Sequence, residues 1–434
     1  MSWITGWDPE NERYWATTGR RIAHRNLAFS ILAEHLGFSV WLMWSVVAVM
    51  LPGVGFAFTA DQLFWLVALP NLVGAVLRIP YTAAVARFGG RNWTVVSAAL
   101  LLVPLALLWV CVTDPSTPYW MFLVSAGTAG LGGGVFASAM ANISYFYPER
   151  YKGFALGVTA AGGNVGVAVV QLVAPAIVIV GVGVHVQNVT LLYLAPVLLA
   201  TLCAWLFMDN LSAVRADLAA QLSALRYRHT WVISFLYIGT FGSFIGYSAA
   251  FPLLIKTQFA GTGAYLAFLG PLVGSLSRPV GGWLADRVGG ARVTAAVFLA
   301  MSGGVCGVLI AVNANTFPLF LLSFLFLFVV SGIGNGSTYR MIPAIFRTEA
   351  LLAAAGGADR DRALALGRTR AAAVIGLAGA IGALGGFLIP RGFGISIANT
   401  GSITAALMIF LAGYAVCLAA TWWWYLRPAF AIAV

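Results

Sequence analysis

Long apolar runs broken by short polar clusters govern this chain from residue 27 onward. A helix needs about 20 apolar residues to cross a ~30 Å hydrocarbon core. By that measure the pattern predicts twelve spans, at about 27–50, 62–86, 93–112, 119–147, 154–180, 190–208, 230–256, 263–286, 292–312, 317–346, 370–390 and 402–426. The breaks fall at turn-forming clusters such as Asp114-Pro115, Tyr147-Pro148-Glu149-Arg150 and Asn313-Ala314-Asn315. The predicted class is an all-α membrane protein. Residues 1–208 form an N-terminal six-helix half and residues 230–434 a C-terminal one. Residues 209–229 link them, in an amphipathic stretch expected to lie on the membrane.

Composition agrees. The chain is 61% hydrophobic and only 9% charged, where a soluble domain carries roughly 25% charged residues. Residues 1–25 are polar and aromatic, so no signal peptide is expected there.

A net charge of +11 raises the question of nucleic acid, but the placement of the charge answers against it. Basic residues gather at the N-terminus (Arg13, Arg20, Arg21, Arg25) and in the 2–3 (Arg87, Arg91), 4–5 (Arg150, Lys152) and 6–7 loops (Arg215, Arg226, Arg228). The 8–9 loop (Arg287, Arg292), the 10–11 loop (Arg347, Arg360, Arg362, Arg368, Arg370) and Arg427 continue the series. The opposite loops hold only Lys256 and Arg391. This is a topology signal, and it places both termini in the cytoplasm; the expected location is the cell inner (plasma) membrane. Expected partners are therefore the lipid bilayer and a transported solute, and no nucleic acid.

Two arginines depart from the loop pattern. Arg78 (VGAVLRIPY) and Arg278 (VGSLSRPVG) lie deep in spans 2 and 8, at an offset of 200 residues. Nine residues after each stands a loop arginine, Arg87 or Arg287, followed by Gly89-Gly90 or Gly289-Gly290. Nine helical residues advance about 13.5 Å, which puts Arg78 and Arg278 near mid-depth. Gly130-x-Gly132-x-Gly134 in span 4 likewise echoes Gly332-x-Gly334-x-Gly336 in span 10, and Ala155-Leu156-Gly157 echoes Ala365-Leu366-Gly367. Six spans plus six with parallel repeats match a transporter whose site lies at the midplane between its halves.

Charge at mid-depth is costly and functional by default. Among the acids only Glu34 could lie within the membrane core, so the sequence offers the two arginines no evident carboxylate. An anionic substrate is the partner they lack, and the planar guanidinium suits a planar oxyanion. Phe136 stands beside the span 4 glycines, which leave room at its ring. Tyr237 and Phe241 share a helical face in span 7 among Gly239, Thr240, Gly242 and Ser243, an internal rather than lipid-facing setting. Asn164, about ten residues into span 5, is either interhelical glue or a donor to the anion.

Gly132, Gly134, Gly163, Gly334 and Gly336 are candidate gating residues, because they permit close helix contact and sliding. Asn335, Tyr339 and Arg340 in the same stretch of span 10 are candidate accessory residues; Arg340 either snorkels to the interface or pairs with Glu349.

No catalytic set emerges. Cys111, Cys203, Cys306 and Cys417 are isolated in apolar stretches, and His24, His35, His185 and His229 are scattered. No metal, haem or other cofactor is expected. A membrane-bound redox subunit is thereby disfavoured, and the chain is not expected to be an enzyme.

Two long stretches, GLGGGVFASAMANISYFYPERYKGFALGVTAAGGNVGVAVVQLVAP (130–175) and GIGNGSTYRMIPAIF (332–346), resemble the signature regions of the NarK-type nitrate/nitrite porter family of the major facilitator superfamily. Asp286-Arg287-x-Gly289-Gly290 resembles that superfamily's cytoplasmic loop signature. WDPENERYWATTGRRIAHRNL, LVALPNLVGAVLRIPY and YIGTFGSFIGYSAAFPLLIKTQF extend the likeness over nearly the whole chain. The resemblance implies the major facilitator fold, a monomer, and nitrate and nitrite as substrates. It implies that Arg78 and Arg278 bind the oxyanion from opposite halves, that Phe136 stacks against it, and that Tyr237, Phe241 and Asn164 fall on other pocket positions. Arg340 falls where some relatives carry an uncharged residue, so no binding role is carried over to it.

Exchange of nitrate for nitrite is the expected mode. Two guanidinium groups ~6 Å apart repel by ~3 kcal/mol at an effective dielectric of ~20, and a bound anion relieves this. The alternative is nitrate/proton symport involving Glu34 or His35.

Overall fold

In the computed structural model, which describes residues 3–180, 184–212, 223–259, 261 and 264–427, the backbone is almost wholly helical. Among the described residues run twelve long helices: α1 Glu12–Val54, α2 Ala60–Phe88, α3 Gly90–Thr113, α4 Tyr119–Phe146, α5 Glu149–Val178, α6 Asn188–Phe207 and α7 Arg228–Gln258. They continue as α8 Leu269–Val288, then α9 Gly290–Asn313, α10 Phe317–Ala355, α11 Arg360–Thr400 and α12 Thr404–Leu426. Eleven are long and apolar enough to cross a membrane by composition alone. The twelfth, α8, carries Arg278, Asp286 and Arg287 within its 20 residues, and this charge lowers its hydropathy.

Several helices outrun the spans expected from hydropathy. Helix α1 begins at Glu12 rather than 27, α10 ends at Ala355 rather than 346, and α11 covers Arg360–Thr400 rather than 370–390. Hydropathy marks only the stretch that lipid tolerates, whereas a helix continues until a stop signal. Between α10 and α11 that signal is Gly357, with φ 101°. Asp359 then caps α11 by accepting from the Arg362 N–H at 2.8 Å. Helix α2 opens with a reciprocal capping box, Thr59 with Gln62.

The repeat seen in the sequence has a backbone counterpart. Helices α2 and α8 end at Gly89 (φ 89°) and Gly289 (φ 98°), a conformation that only glycine adopts without strain.

The chain divides into two compact units. The first holds the described part of Met1–Ala216 together with Ser248–Lys256 at the end of α7 and the turn Ala264–Phe268. The second holds the described part of Asp217–Tyr247 and Leu269–Val434. In the first unit Leu191, Leu194, Leu198, Leu202 and Trp205 stand exposed at helical spacing along α6, an apolar stripe suited to lipid.

The N-terminal segment is tied down in a way hydropathy does not signal. Strand β1 (Trp3–Ile4) pairs in parallel with β2 (Asn210–Leu211). Trp7 Nε1 donates to the Tyr145 carbonyl, Glu10 accepts from the Glu149 N–H at the start of α5, and Arg150 donates to Glu12. Arg25 and Asn26 both donate to Asp209, each at 2.7 Å. Trp15, Ile143, Phe146, Tyr147 and Leu211 form a small apolar cluster under this strap. Residues 213–222 of the linker expected to be amphipathic lie outside the described residues.

Candidate functional site

In the first unit Arg78 is set by α2 and is almost fully buried, at 1% exposure. Its guanidinium lies 4.6 Å from the Phe136 ring centroid and 5.5 Å from that of Trp41. Its Nε donates to the Gly133 carbonyl of α4 at 3.4 Å. Phe38 meets both Phe136 and Trp41 edge-on, which locks the aromatic group.

Glycines build this pocket wall. A Cβ on Gly74 would stand 2.7 Å from Trp41 Nε1, and one on Gly133 would stand 2.7 Å from Trp41 Cε2. The bare backbones of α2 and α4 thus form a notch for the Trp41 indole, whose N–H donates to the Pro70 carbonyl at 2.9 Å. Gly132 faces the Gly37 carbonyl of α1 and Gly134 faces the Tyr81 ring, so both serve close helix contact as well. Trp41 did not stand out in the sequence. A tryptophan in mid-span, away from the interfacial belt where that residue concentrates, is the signal that points to it.

Asn164 is fully buried in α5, and neither its Oδ1 nor its Nδ2 has a hydrogen-bond partner among the described residues. A buried amide left so is costly, and the site is therefore suited to a polar ligand. Next to it, Gly163 makes room for the buried carboxyl of Glu34 on α1. His35 Nδ1 lies 3.1 Å from the Gly162 carbonyl.

In the second unit Arg278 of α8 is 9% exposed, and its Nη1 is buried with no hydrogen-bond partner among the described residues. Its guanidinium lies 5.7 Å from the Tyr339 ring centroid. Tyr237 stands 6.1 Å from Tyr339 and stacks on Phe241 at 5.1 Å with planes 18° apart. The Tyr237 hydroxyl donates to Asn335 Oδ1 at 2.7 Å, which gives Asn335 a definite role in orienting that ring. Thus Arg278, Tyr339, Tyr237, Phe241 and Asn335 are brought together within one unit. The segment Ile238–Gly242 is a π-turn, which brings the two rings into register.

Gly336 packs against the Arg278 carbonyl, and a Cβ there would stand 2.8 Å from Gly282 N. Gly334 faces Val297 and Thr240. Arg340 is different in kind. It is half-exposed, and its Nε donates to Asp286 Oδ1 at 2.5 Å. Its partner is therefore Asp286 of α8 rather than Glu349, whose Oε1 lies 3.6 Å from His229 Nε2.

Each unit, taken by itself, holds a buried guanidinium against an aromatic ring. A planar guanidinium in such a setting is chemically suited to an oxyanion. No metal-binding cluster of His, Cys, Asp and Glu occurs among the described residues.

The sequence profile of the Major Facilitator Superfamily matches residues 36–390. The chain is 43% identical to the nitrate/nitrite transporter NarU of Salmonella typhimurium (strain LT2), over 98% of this chain and 96% of that protein. It is 36% identical to the probable nitrate/nitrite antiporter NarK2 of Thermus thermophilus, over 98% and 97%. Among solved structures, the partially occluded inward-open xylose transporter XylE from E. coli aligns with a TM-score of 0.69 at 12% identity, covering 93% of this chain and 97% of that one. The last likeness concerns the fold alone.

Proposed function

Because the chain belongs to the major facilitator superfamily, we propose that it is a nitrate/nitrite transporter that exchanges one anion for the other by alternating access. The observation that carries this reading is the arginine buried against an aromatic ring in each repeat, Arg78 with Phe136 and Arg278 with Tyr339. The near full-length likeness to nitrate/nitrite transporters supplies the substrate class. Arg78 and Arg278 each present planar donors to the oxyanion, and Phe136 offers it a ring face. Tyr237, Phe241 and Asn164 complete the contacts.

In this reading the empty carrier keeps two buried like charges in a low-dielectric interior, and a bound anion offsets their repulsion. Anion binding then lowers the energy of passage between inward- and outward-facing states, because only a differential interaction shifts such an equilibrium. Exchange of one monovalent anion for another moves no net charge. The protein acts as a monomer in the cell inner membrane, with both termini in the cytoplasm. The basic loops support that orientation.

The substrate class is tested by thermal unfolding of the purified protein. Nitrate and nitrite should raise Tm in a concentration-dependent way, while lactate and phosphate at equal ionic strength leave it unchanged. Stabilisation by lactate or phosphate esters alone would assign the pocket to larger organic anions.

One observation favours a second reading. Glu34 is a fully buried carboxyl on α1 facing Gly163 of α5, next to Asn164, a place where a proton carrier would serve nitrate/proton symport. Uptake driven by a pH gradient without internal nitrite would establish it.

A further inference from the structure

Pro252 lies inside α7. A proline has no N–H to give to the carbonyl four residues earlier, here that of Ser248. Gln171 of α5, 1% exposed, reaches that carbonyl: its Nε2 donates to Ser248 O at 2.7 Å. The same Nε2 donates to Ser45 Oγ of α1 at 3.1 Å. Ser45 Oγ commits its own proton to the Leu42 carbonyl at 2.6 Å, so it accepts from the amide. Both hydrogens of one amide are thereby used, and the acceptor-only carbonyl fixes which way the amide faces. The consequence is a single side chain joining α5, α1 and the end of α7, within the unit to which Ser248–Lys256 belongs. Beside it lies a cavity of about 230 Å³, lined by Val46, Met50, Pro175, Pro252 and Tyr265.

We propose that Gln171 is a conformational latch. Its amide stands in for the N–H that Pro252 lacks and holds the proline-bearing end of α7 onto α1 and α5. The transport path is closed at the end opposite the basic loops while these bonds stand, and it opens there when they break. The residue is a positioning residue: it acts on α7 and not on the anion. The inference rests on the alternating-access reading above, but it is independent of which anion is carried.

The test follows a single thiol, Val46→Cys, in a chain whose four native cysteines are replaced by alanine. A water-soluble maleimide is applied to the side opposite the basic loops. Gln171→Leu keeps the side-chain bulk and removes both donors. It should speed labelling by roughly fivefold or more, the weight of a lost buried hydrogen bond. Pro252→Ala gives Ser248 a backbone donor, so Gln171→Leu should change labelling far less in that background. Should Gln171→Leu fail to fold, as judged by size exclusion, Gln171→Asn replaces it; that amide is one methylene short of holding both acceptors. Unchanged labelling, or an equal effect with and without Pro252, overturns the latch. No nitrate or nitrite is present, so a wrong substrate assignment leaves the result unaffected.

Discussion

The guanidinium carbon of Arg78 sits 4.6 Å from the centre of the Phe136 ring, with Trp41 at 5.5 Å as a second aromatic neighbour. A cation held over a ring face in a desolvated setting gains about 2 kcal/mol, against 0.5–1 at an exposed one. The ring therefore fixes the charge in place, and in the proposed site it is the face that meets the planar anion. Phe136→Leu keeps much of the volume and removes the ring. It should weaken nitrate binding by about 3- to 30-fold, as the cation–π energy implies, and lower Tm because the same contact is lost from the folded protein. Nitrate titration by calorimetry measures this.

Arg78→Lys and Arg278→Lys each keep the charge and lose the planar fork. Charge-assisted bidentate bonds are the strong ones, and their loss should cut nitrite-driven nitrate uptake by roughly tenfold or more. Arg340→Gln provides the contrast. Its exposed pair with Asp286 is worth ~1 kcal/mol or less, so nitrate affinity should stay within a factor of about three. Uptake assays on equal amounts of reconstituted protein decide both.

Asn335 accepts the Tyr237 hydroxyl at 2.7 Å in a fully buried setting. Asn335→Leu deprives that hydroxyl of this acceptor, at a cost of about 1–3 kcal/mol. Tyr237→Phe added to Asn335→Leu should recover part of the lost stability, because the hydroxyl that lost this acceptor is gone. Thermal unfolding of the two single variants and the double variant reads the coupling. Simple additivity would dissolve the pair.

Gly133→Ala and Gly157→Ala should behave oppositely. A Cβ at Gly133 would meet the Trp41 ring at 2.7 Å and Gly74 Cα at 2.8 Å, whereas one at Gly157 meets nothing within 4 Å. Gly133→Ala should lower Tm and displace Trp41 from Arg78, with overpacking at about 1–3 kcal/mol. Gly157→Ala should leave Tm unchanged or raise it by the ~1 kcal/mol of helix propensity. Trp41 fluorescence, in a background that isolates it, follows the first effect.

The repeat was legible because its marks are local. The mid-span arginines, the loop arginines and the Gly-Gly pairs recur at fixed offsets, and Gly89 and Gly289 do adopt the same positive φ. Tyr237 and Phe241 were legible as one face because four residues is nearly a helical turn. Trp41 was not, since its place against Arg78 depends on a notch made by glycines on two other helices. The pairing of Arg340 with Asp286 was hidden for a related reason, because partners 54 residues apart in sequence are joined only by the packing of α8 on α10. The N-terminal strap escaped notice because two-residue strands and carboxylate caps leave no hydropathy signature.

Exchange itself is tested most directly by counterflow. Proteoliposomes are loaded with nitrite or with buffer alone, and labelled nitrate is added outside. The account predicts rapid uptake into the nitrite-loaded vesicles and little into the empty ones. Equal uptake in the two would contradict obligatory exchange.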